Sequence, residues 1–509
     1  MLVLKSEEKI LISDLLNKEK ISFHMPCGGR GVCQKCRVKV WGNILPPTNY
    51  ERSLLTEEDL KNSVRFSCLA YVQGEIWVEF INEKSFDNSD KILTDVIVKN
   101  LVPDKDKQDG YGVAIDLGTT TVALYLYKLR IGECIDVLSC INSQTSFGAD
   151  VITRIDKAVS GKSRELAESI VSCLNSNLKL VADKNKIGID EICEIVIAGN
   201  TAMMYLLCGK SPESIARAPF IQDEYFGEFI KPSDIGVGLS GECRLYLVRS
   251  ISSYVGGDIT AAVMAASLQN DKVKLLADIG TNGEMVLYVP EKPLICCSTA
   301  AGPTFEGVGI ECGMTARTGA IYKADICDEA ICSYVISDGA DGAITKAEGI
   351  CGSGIIDVVA AMLELELIDE TGRFCNEDDF YTLPGTDISI TQKDIREVQL
   401  AKAAICAGIY TLINKAGLQV TDISELMVAG GFGNNINMKS AERIGLVPKN
   451  FSNKTRFIGN AAGQGAAMIL LNRETMELSE RISCEAETVQ LSTDEFFMDK
   501  YIECMMFER

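Results

Sequence analysis

The chain has 509 residues, 47% apolar and 24% charged, and a formal net charge of −21 with no basic run; that is the composition of a globular protein of about two to four domains, and it argues against nucleic acid or an anionic membrane as main partner. Twenty cysteines are scattered through apolar stretches with no signal-peptide pattern, as expected of reduced, buried thiols in an oxygen-poor cytoplasm, and no charge-free apolar stretch is long enough to span a membrane. The single histidine, His24, excludes His-Asp-Ser triads, His-rich zinc sites and Rieske centres and reads as a solvated loop residue.

Residues 1–82 form one compositional unit. CRVKVWGNIL reads as a strand, TEEDL opens a short helix with Thr56 as N-cap, and GEIWVEFI alternates as a strand does. Residues 83–109 are polar and charged around a short apolar piece and read as a linker. Within the first unit, CGGRGVCQKC places Cys27, Cys33 and Cys36 in a C-x5-C-x2-C run, with 31 residues between Cys36 and Cys68. Four thiolates so spaced can hold a 2Fe–2S cluster, because the run is close to the plant-type C-x4-C-x2-C with a distant fourth cysteine. Gly28, Gly29 and Gly31 let backbone N–H groups approach the cluster sulfurs, and Arg30 adds compensating charge. Zinc and a thioredoxin-type dithiol at Cys33 and Cys36 are the weaker alternatives. Zinc ribbons prefer paired C-x2-C knuckles, and a redox dithiol has no need of flanking glycines.

From residue 110 the chain reads as duplicated. YGVAIDLGTTTVALYLY (111–127) matches KLLADIGTNGEMVLYV (274–289), and EIVIAGNTAMMYLL (194–207) matches ELMVAGGFGNNINM (425–438). Two matched pairs in the same order imply a two-lobed α/β unit, with lobes at 110–272 and 273–509 and one cleft between them. No Walker signature occurs, and GVGLSG (236–241) follows PSDI rather than a clear strand, so it does not read as a dinucleotide site. The hairpin turns instead suit a phosphate trap. Gly118, Thr119, Thr120 and Thr121, facing Gly280, Thr281, Asn282 and Gly283, present N–H groups and hydroxyls to the phosphates of ATP. Asp116 and Asp278 organise Mg²⁺ through water and the attacking water. Gly430, Gly431, Phe432 and Gly433 offer a flat surface for the nucleoside. Asp258, in YVGGDIT, is a secondary catalytic candidate whose other reading is a helix N-cap. Cys351 and the Cys296–Cys297 pair read as packing residues.

The two aspartate hairpins and the Gly430–Gly433 turn resemble the phosphate-1, phosphate-2 and adenosine motifs of the superfamily of acetate and sugar kinases, heat-shock chaperone ATPases and actin. With GICGSGIIDVVAAML (349–363), CSTAAGPTFEGVGIECGMTARTGAI (297–321), IGNAAGQGAA (458–467) and the cysteine loop, essentially the whole chain resembles the reductive activators of corrinoid proteins. The resemblance implies an N-terminal β-grasp ferredoxin domain ahead of an internally duplicated α/β ATPase. The implied activity is ATP-dependent transfer of one electron to an inactive Co(II) corrinoid of a methyltransferase system. An upstream low-potential reductant and a homodimer are implied with it. The linker is shorter than family members can carry, and Cys484 and Cys504 are too few for a C-terminal cluster, so one cluster per chain is expected. The competing readings are a small-metabolite kinase fused to a ferredoxin domain, which gives the cluster no task, an activator of the 2-hydroxyacyl dehydratase type, which has no ferredoxin domain, and a non-enzymatic ATP-gated binding module.

Overall fold

The computed structural model describes residues 1–19, 21, 23, 29, 31, 36–81, 101–268, 271–337, 345–376, 378–430 and 436–507. The N-terminal unit is a four-stranded sheet in the order Leu2–Leu11, Tyr71–Phe80, Arg37–Ile44, Val64–Phe66, with each described pair antiparallel. The period-2 pattern puts Val38, Val40, Ile76 and Val78 in the core, where Ile12, Leu15 and Leu16 of the helix Ile12–Lys18 close over them. Trp41 and Trp77 are register partners on the other face. Thr56 caps the helix Glu57–Lys61 through a capping box with Asp59, as its sequence predicts. The buried Glu51 holds Arg65 bidentately, at 2.8 and 2.6 Å, and Arg65 also donates to Leu45 O at 3.0 Å. This desolvated pair ties the helix Asn49–Leu54 to the strand leading into Cys68.

The two lobes share one topology. In the first, strands Glu133–Ile141, Thr121–Lys128 and Tyr111–Leu117 form an antiparallel meander, continued in parallel by Ile192–Gly199 and Arg244–Leu247 and closed by the short edge strand Phe229–Ile230. In the second, Ile295–Thr299, Gly283–Tyr288 and Lys274–Ile279 form the meander, and Glu425–Ala429 and Thr455–Gly459 continue it in parallel. The second lobe carries added material between its third and fourth strands. This includes the sheet Ala320–Cys327, Ala330–Val335, Gly349–Ile350, the buried helix Gly352–Glu364 and the helix Gln392–Lys415.

Each fifth strand leads to a helix, Gly257–Ala266 in the first lobe and Ala461–Leu471 in the second, and these equivalent helices pack on one another. Both are rich in alanine and glycine, which lets their backbones meet. A Cβ at Gly465 would lie 1.8 Å from Ala261 O, and one at Gly463 would lie 2.4 Å from the Tyr125 ring. Residues 83–100 of the expected linker, and residue 82 before them, lie outside the described residues. Residues 101–109 are fastened to both lobes. Leu101 N donates to Gly132 O, Lys107 meets Glu194 at 3.1 Å, and Asp104 accepts from Asn472 Nδ2 at 3.0 Å and from Arg473 N at 2.8 Å. The polarity that suggests a linker serves here as a strap of ion pairs and hydrogen bonds. Gly465→Ala should destabilise the chain by about 1–3 kcal/mol in urea unfolding. Gly241→Ala, where a Cβ meets nothing within 4 Å, should stay within about 0.5 kcal/mol.

Candidate functional site

The duplicated sheets bring their aspartates to equivalent places. Asp116 is the register partner of Ala198 on the parallel neighbour, and Asp278 is the partner of Ala429. Glycine follows each alanine because the backbone passes close by. A Cβ on Gly199 would lie 2.9 Å from Leu117 O, and one on Gly430, at φ +96°, would lie 2.8 Å from Asp278 Oδ1. The two turns differ in length. Gly118 N bonds across four residues to Thr121 O, whereas Gly280 N bonds to Asn282 O.

The first turn is held from behind. Asn142 donates from Nδ2 to Gly118 O and from its backbone to Thr120 O, both at 2.8 Å. Asn200 Nδ2 donates to Thr119 Oγ1 at 3.1 Å. Arg154, fully buried, donates to Thr119 O at 2.6 Å and to Gly148 O at 2.8 Å, and burial pulls its guanidinium down to about 9. Thr119 Oγ1 accepts from Asn200 within its own lobe, and it is Thr120 that reaches across the cleft. Its hydroxyl lies 3.4 Å from that of Thr281. Both hydroxyls donate to Glu306, Thr120 at 2.5 Å and Thr281 at 2.7 Å. A second bond between lobes runs from Asn460 Nδ2 to Asp116 Oδ2 at 2.7 Å. Thr121 begins the second strand of its hairpin, and Gly283 does so in the other lobe.

Five carboxylates therefore converge. Burial raises Asp116 to about 6 against the opposing Asn460 bond, and raises Asp278 to about 7 with help from the charges of Asp116 and Glu306. Burial, then the fields of Asp278 and Asp116, pushes Asp258 up. Glu284, the register partner of Asp278, is pushed up in the same way by burial, Asp258 and Asp278, and its Oε1 has no hydrogen-bond partner. Asp258 is not a helix N-cap. Gly256 holds that position, and Asp258 Oδ1 accepts from Ile259 N at 2.8 Å. Among the described residues no three form a set that could hold a metal ion directly.

Of the cluster candidates, Cys36 and Cys68 are described. They arrive from separate segments with sulfurs 3.2 Å apart, both buried, and Ser67 N donates to Cys36 O at 2.9 Å. Gly29 and Gly31 adopt φ of +85° and +75°, and a Cβ on Gly31 would lie 2.9 Å from the Leu69 side chain beside Cys68. His24, Cys27, Gly28, Arg30, Cys33, Gly431, Phe432 and Gly433 lie outside the described residues. Cys296, Cys297 and Cys351 are buried, in keeping with packing roles.

Arg154, Asn200, Glu284, Glu306 and Asn460 are members of the cleft that the sequence does not single out as site residues, although all but Arg154 fall inside stretches that carry the duplication or the resemblance. Asn460 had a signal: it caps its helix as Gly256 caps the equivalent one, so extending the duplication by one strand and helix leads to it. The carboxylate environment gives a signed prediction. An aspartate whose folded value lies above its ordinary 3.8 holds its proton longer in the folded state, so stability falls as pH rises through the folded value. Asp278→Asn should raise the melting temperature at pH 8, and the gain should fade as pH drops from 7 toward 4.

Residues 111–271 match the family model described as the RACo middle region, and residues 272–509 match the C-terminal domain of RACo, the ASKHA domain. The chain is 33% identical to the corrinoid activation enzyme RamQ of Eubacterium limosum, over 98% of this chain and 96% of that one. It is 26% identical to the [Co(II) methylated amine-specific corrinoid protein] reductase of Methanosarcina barkeri, over 77% and 76% of the two chains. Over 16% of this chain and 18% of the other, it is 33% identical to a subunit of the Na(+)-translocating NADH-quinone reductase of Chlamydia muridarum. The solved structure of a reductive activator for corrinoid, iron-sulfur protein superposes with a TM-score of 0.72 at 26% identity, covering 98% of this chain and 95% of that one. The chain belongs to the RACo family of corrinoid activation enzymes, with the middle region and the ASKHA domain of that family both present.

Proposed function

We propose that this chain is an ATP-dependent reductive activator that returns an inactive Co(II) corrinoid protein of a methyltransferase system to Co(I). The observation that carries the reading is the meeting of two equivalent phosphate-type hairpins, Thr120 against Thr281, in a chain that also brings Cys36 and Cys68 together from separate segments. The likeness to corrinoid activators along nearly the whole chain supports the same reading.

The thiols fit a cluster. A 3.2 Å sulfur separation is too long for a disulfide, and the segment around Cys68 is braced by the buried Glu51–Arg65 pair. Cys27, Cys33, Cys36 and Cys68 would hold a 2Fe–2S cluster, which when bound supplies a low-potential one-electron carrier. The positive-φ glycines let backbone N–H groups turn toward the sulfurs. In the cleft, Thr120 and Thr281 offer hydroxyl hydrogens from opposite lobes, and Asn142 and Arg154 hold the first hairpin in the shape that presents them. Asp116 and Asp278, with Asp258 and Glu284 behind them, crowd negative charge that Mg²⁺, held through water, would neutralise. Gly430 passes so close to Asp278 that a Cβ on it would lie 2.8 Å from Oδ1, and it is the first residue of the expected nucleoside surface. Asn460 joins the second lobe to Asp116, so a change at the aspartate is felt across the cleft.

The test is anaerobic. Purified protein, a low-potential reductant, a methyltransferase component carrying cob(II)alamin and ATP should together yield the Co(I) absorbance, and omission of ATP should suppress it. Equal Co(I) formation with and without ATP would sink the coupled reading. The isolated chain should carry about two irons with a matching visible spectrum, and Cys68→Ala should lose that spectrum. An unchanged spectrum would assign the fourth ligand to another thiol.

A further inference from the structure

Glu306 ends the short turn Pro303–Glu306 in the second lobe and presents both carboxylate oxygens to the cleft. Oε2 accepts from Thr120 at 2.5 Å and Oε1 from Thr281 at 2.7 Å, one donor from each hairpin. The turn is a fixed mount rather than a loose loop. Gly302 and Gly307 flank it at φ +78° and +81°, and a Cβ on Gly307 would lie 2.4 Å from Met314 O. Gly280 of the second hairpin passes so close that its Cβ would lie 3.6 Å from Glu306 Oε1. Arg154, the buried cation behind the first hairpin, lies within the field of the same carboxylate.

The two hydroxyls that Glu306 holds, those of Thr120 and Thr281, are among those that the ATP reading assigns to phosphate. A threonine hydroxyl has one hydrogen to donate, so it cannot serve a carboxylate and a phosphate oxygen together. Two anions brought to the same donors also repel. We propose that Glu306 is a resident competitor for the nucleotide phosphates. It clasps Thr120 to Thr281, and a nucleotide phosphate binds by displacing it. The residue therefore sets the affinity of the cleft, and it makes phosphate binding break a contact that joins the two lobes. The inference rests on the ATP reading of the cleft.

The sign of the expected effect is the reverse of the usual one for a polar residue in a binding site. By isothermal titration with Mg²⁺ and AMP-PNP, Glu306→Gln should bind about tenfold more tightly than the unaltered chain, because two charge-assisted bonds no longer oppose entry. The KM for ATP should fall in parallel, and Glu306→Ala should shift in the same direction. Weaker binding in both variants would overturn the proposal. So would a lower kcat at unchanged KM, which would make Glu306 a residue that positions the attacking water. Unchanged affinity with a lower melting temperature would make it a structural brace and would overturn the proposal equally. If the unaltered chain binds no AMP-PNP, the ATP reading itself falls and the clasp falls with it. That outcome is distinct from an unaltered chain that binds while Glu306→Gln shows no gain.

Discussion

The approach of two small-residue helices is the constraint on which the rest of the architecture depends. Gly257–Ala266 and Ala461–Leu471 come close enough that Gly465 sits against the backbone of Ala261. Because each helix follows the fifth strand of its own sheet, their crossing fixes how the two lobes face one another. The consequence is local. The starts of these helices bring Asp258 toward the aspartate of the opposite lobe and Asn460 onto Asp116. A larger residue at the crossing would separate the lobes and pull these contacts apart together, so a packing requirement about one helical turn from Asp258 and Asn460 decides whether a shared site exists.

What the crossing assembles is strongly anionic. Asp116, Asp258, Asp278, Glu284 and Glu306 act on one another, while the buried cation on the same side, Arg154, is held by carbonyl oxygens of the first hairpin and its neighbour. Like charges in a protein interior are tolerated by holding protons or by acquiring a cation. Raised values for Asp116 and Asp278 show the first response. On the proposed function, Mg²⁺ with its phosphate ligand supplies the second. A cleft that is uncomfortable at neutral pH binds a cation more readily than a relaxed one would, because binding relieves repulsion already present.

The duplication was legible because it rests on local rules that recur: an apolar strand, an aspartate, a Gly-Thr turn, a second strand, and later an Ala-Gly turn. The shared register of Asp116 with Ala198 and of Asp278 with Ala429 is what those matched words encode. Matched by sequence, Thr119 pairs with Thr281, whereas in space Thr120 meets Thr281, because the first turn is one residue longer. Such a shift is invisible in spacing alone. Glu306 was harder still. It comes from a turn that follows the hairpin by a full strand, and nothing local marks which glutamate of the chain folds back onto two threonines. The stretch 101–109 reads only as linker for a related reason: Asp104 and Lys107 have no visible task until the lobes supply Asn472, Arg473 and Glu194 as partners.

The proposed activity also asks whether these contacts are strong enough to matter. A plant-type cluster lies near about −400 mV, and the Co(II)/Co(I) step implied for a corrinoid partner lies lower. A gap of ~240 mV corresponds to about 5.5 kcal/mol for one electron, the differential binding that moves a two-state equilibrium from 1:99 to 99:1. Two hydrogen bonds to carboxylates join the lobes across the cleft, Thr120 to Glu306 and Asn460 to Asp116. At about 1.5–3 kcal/mol each, they amount to roughly 3–6 kcal/mol when made or broken together. The cleft therefore holds enough switchable interaction to cover the gap only if both bonds change together and each lies near the top of that range. Their placement favours a joint change, since both lie between lobes whose facing is set by one helix crossing. A lobe movement that broke one bond and kept the other would fall short, so the helix crossing is as much a requirement of the proposed activity as the cluster that carries the electron.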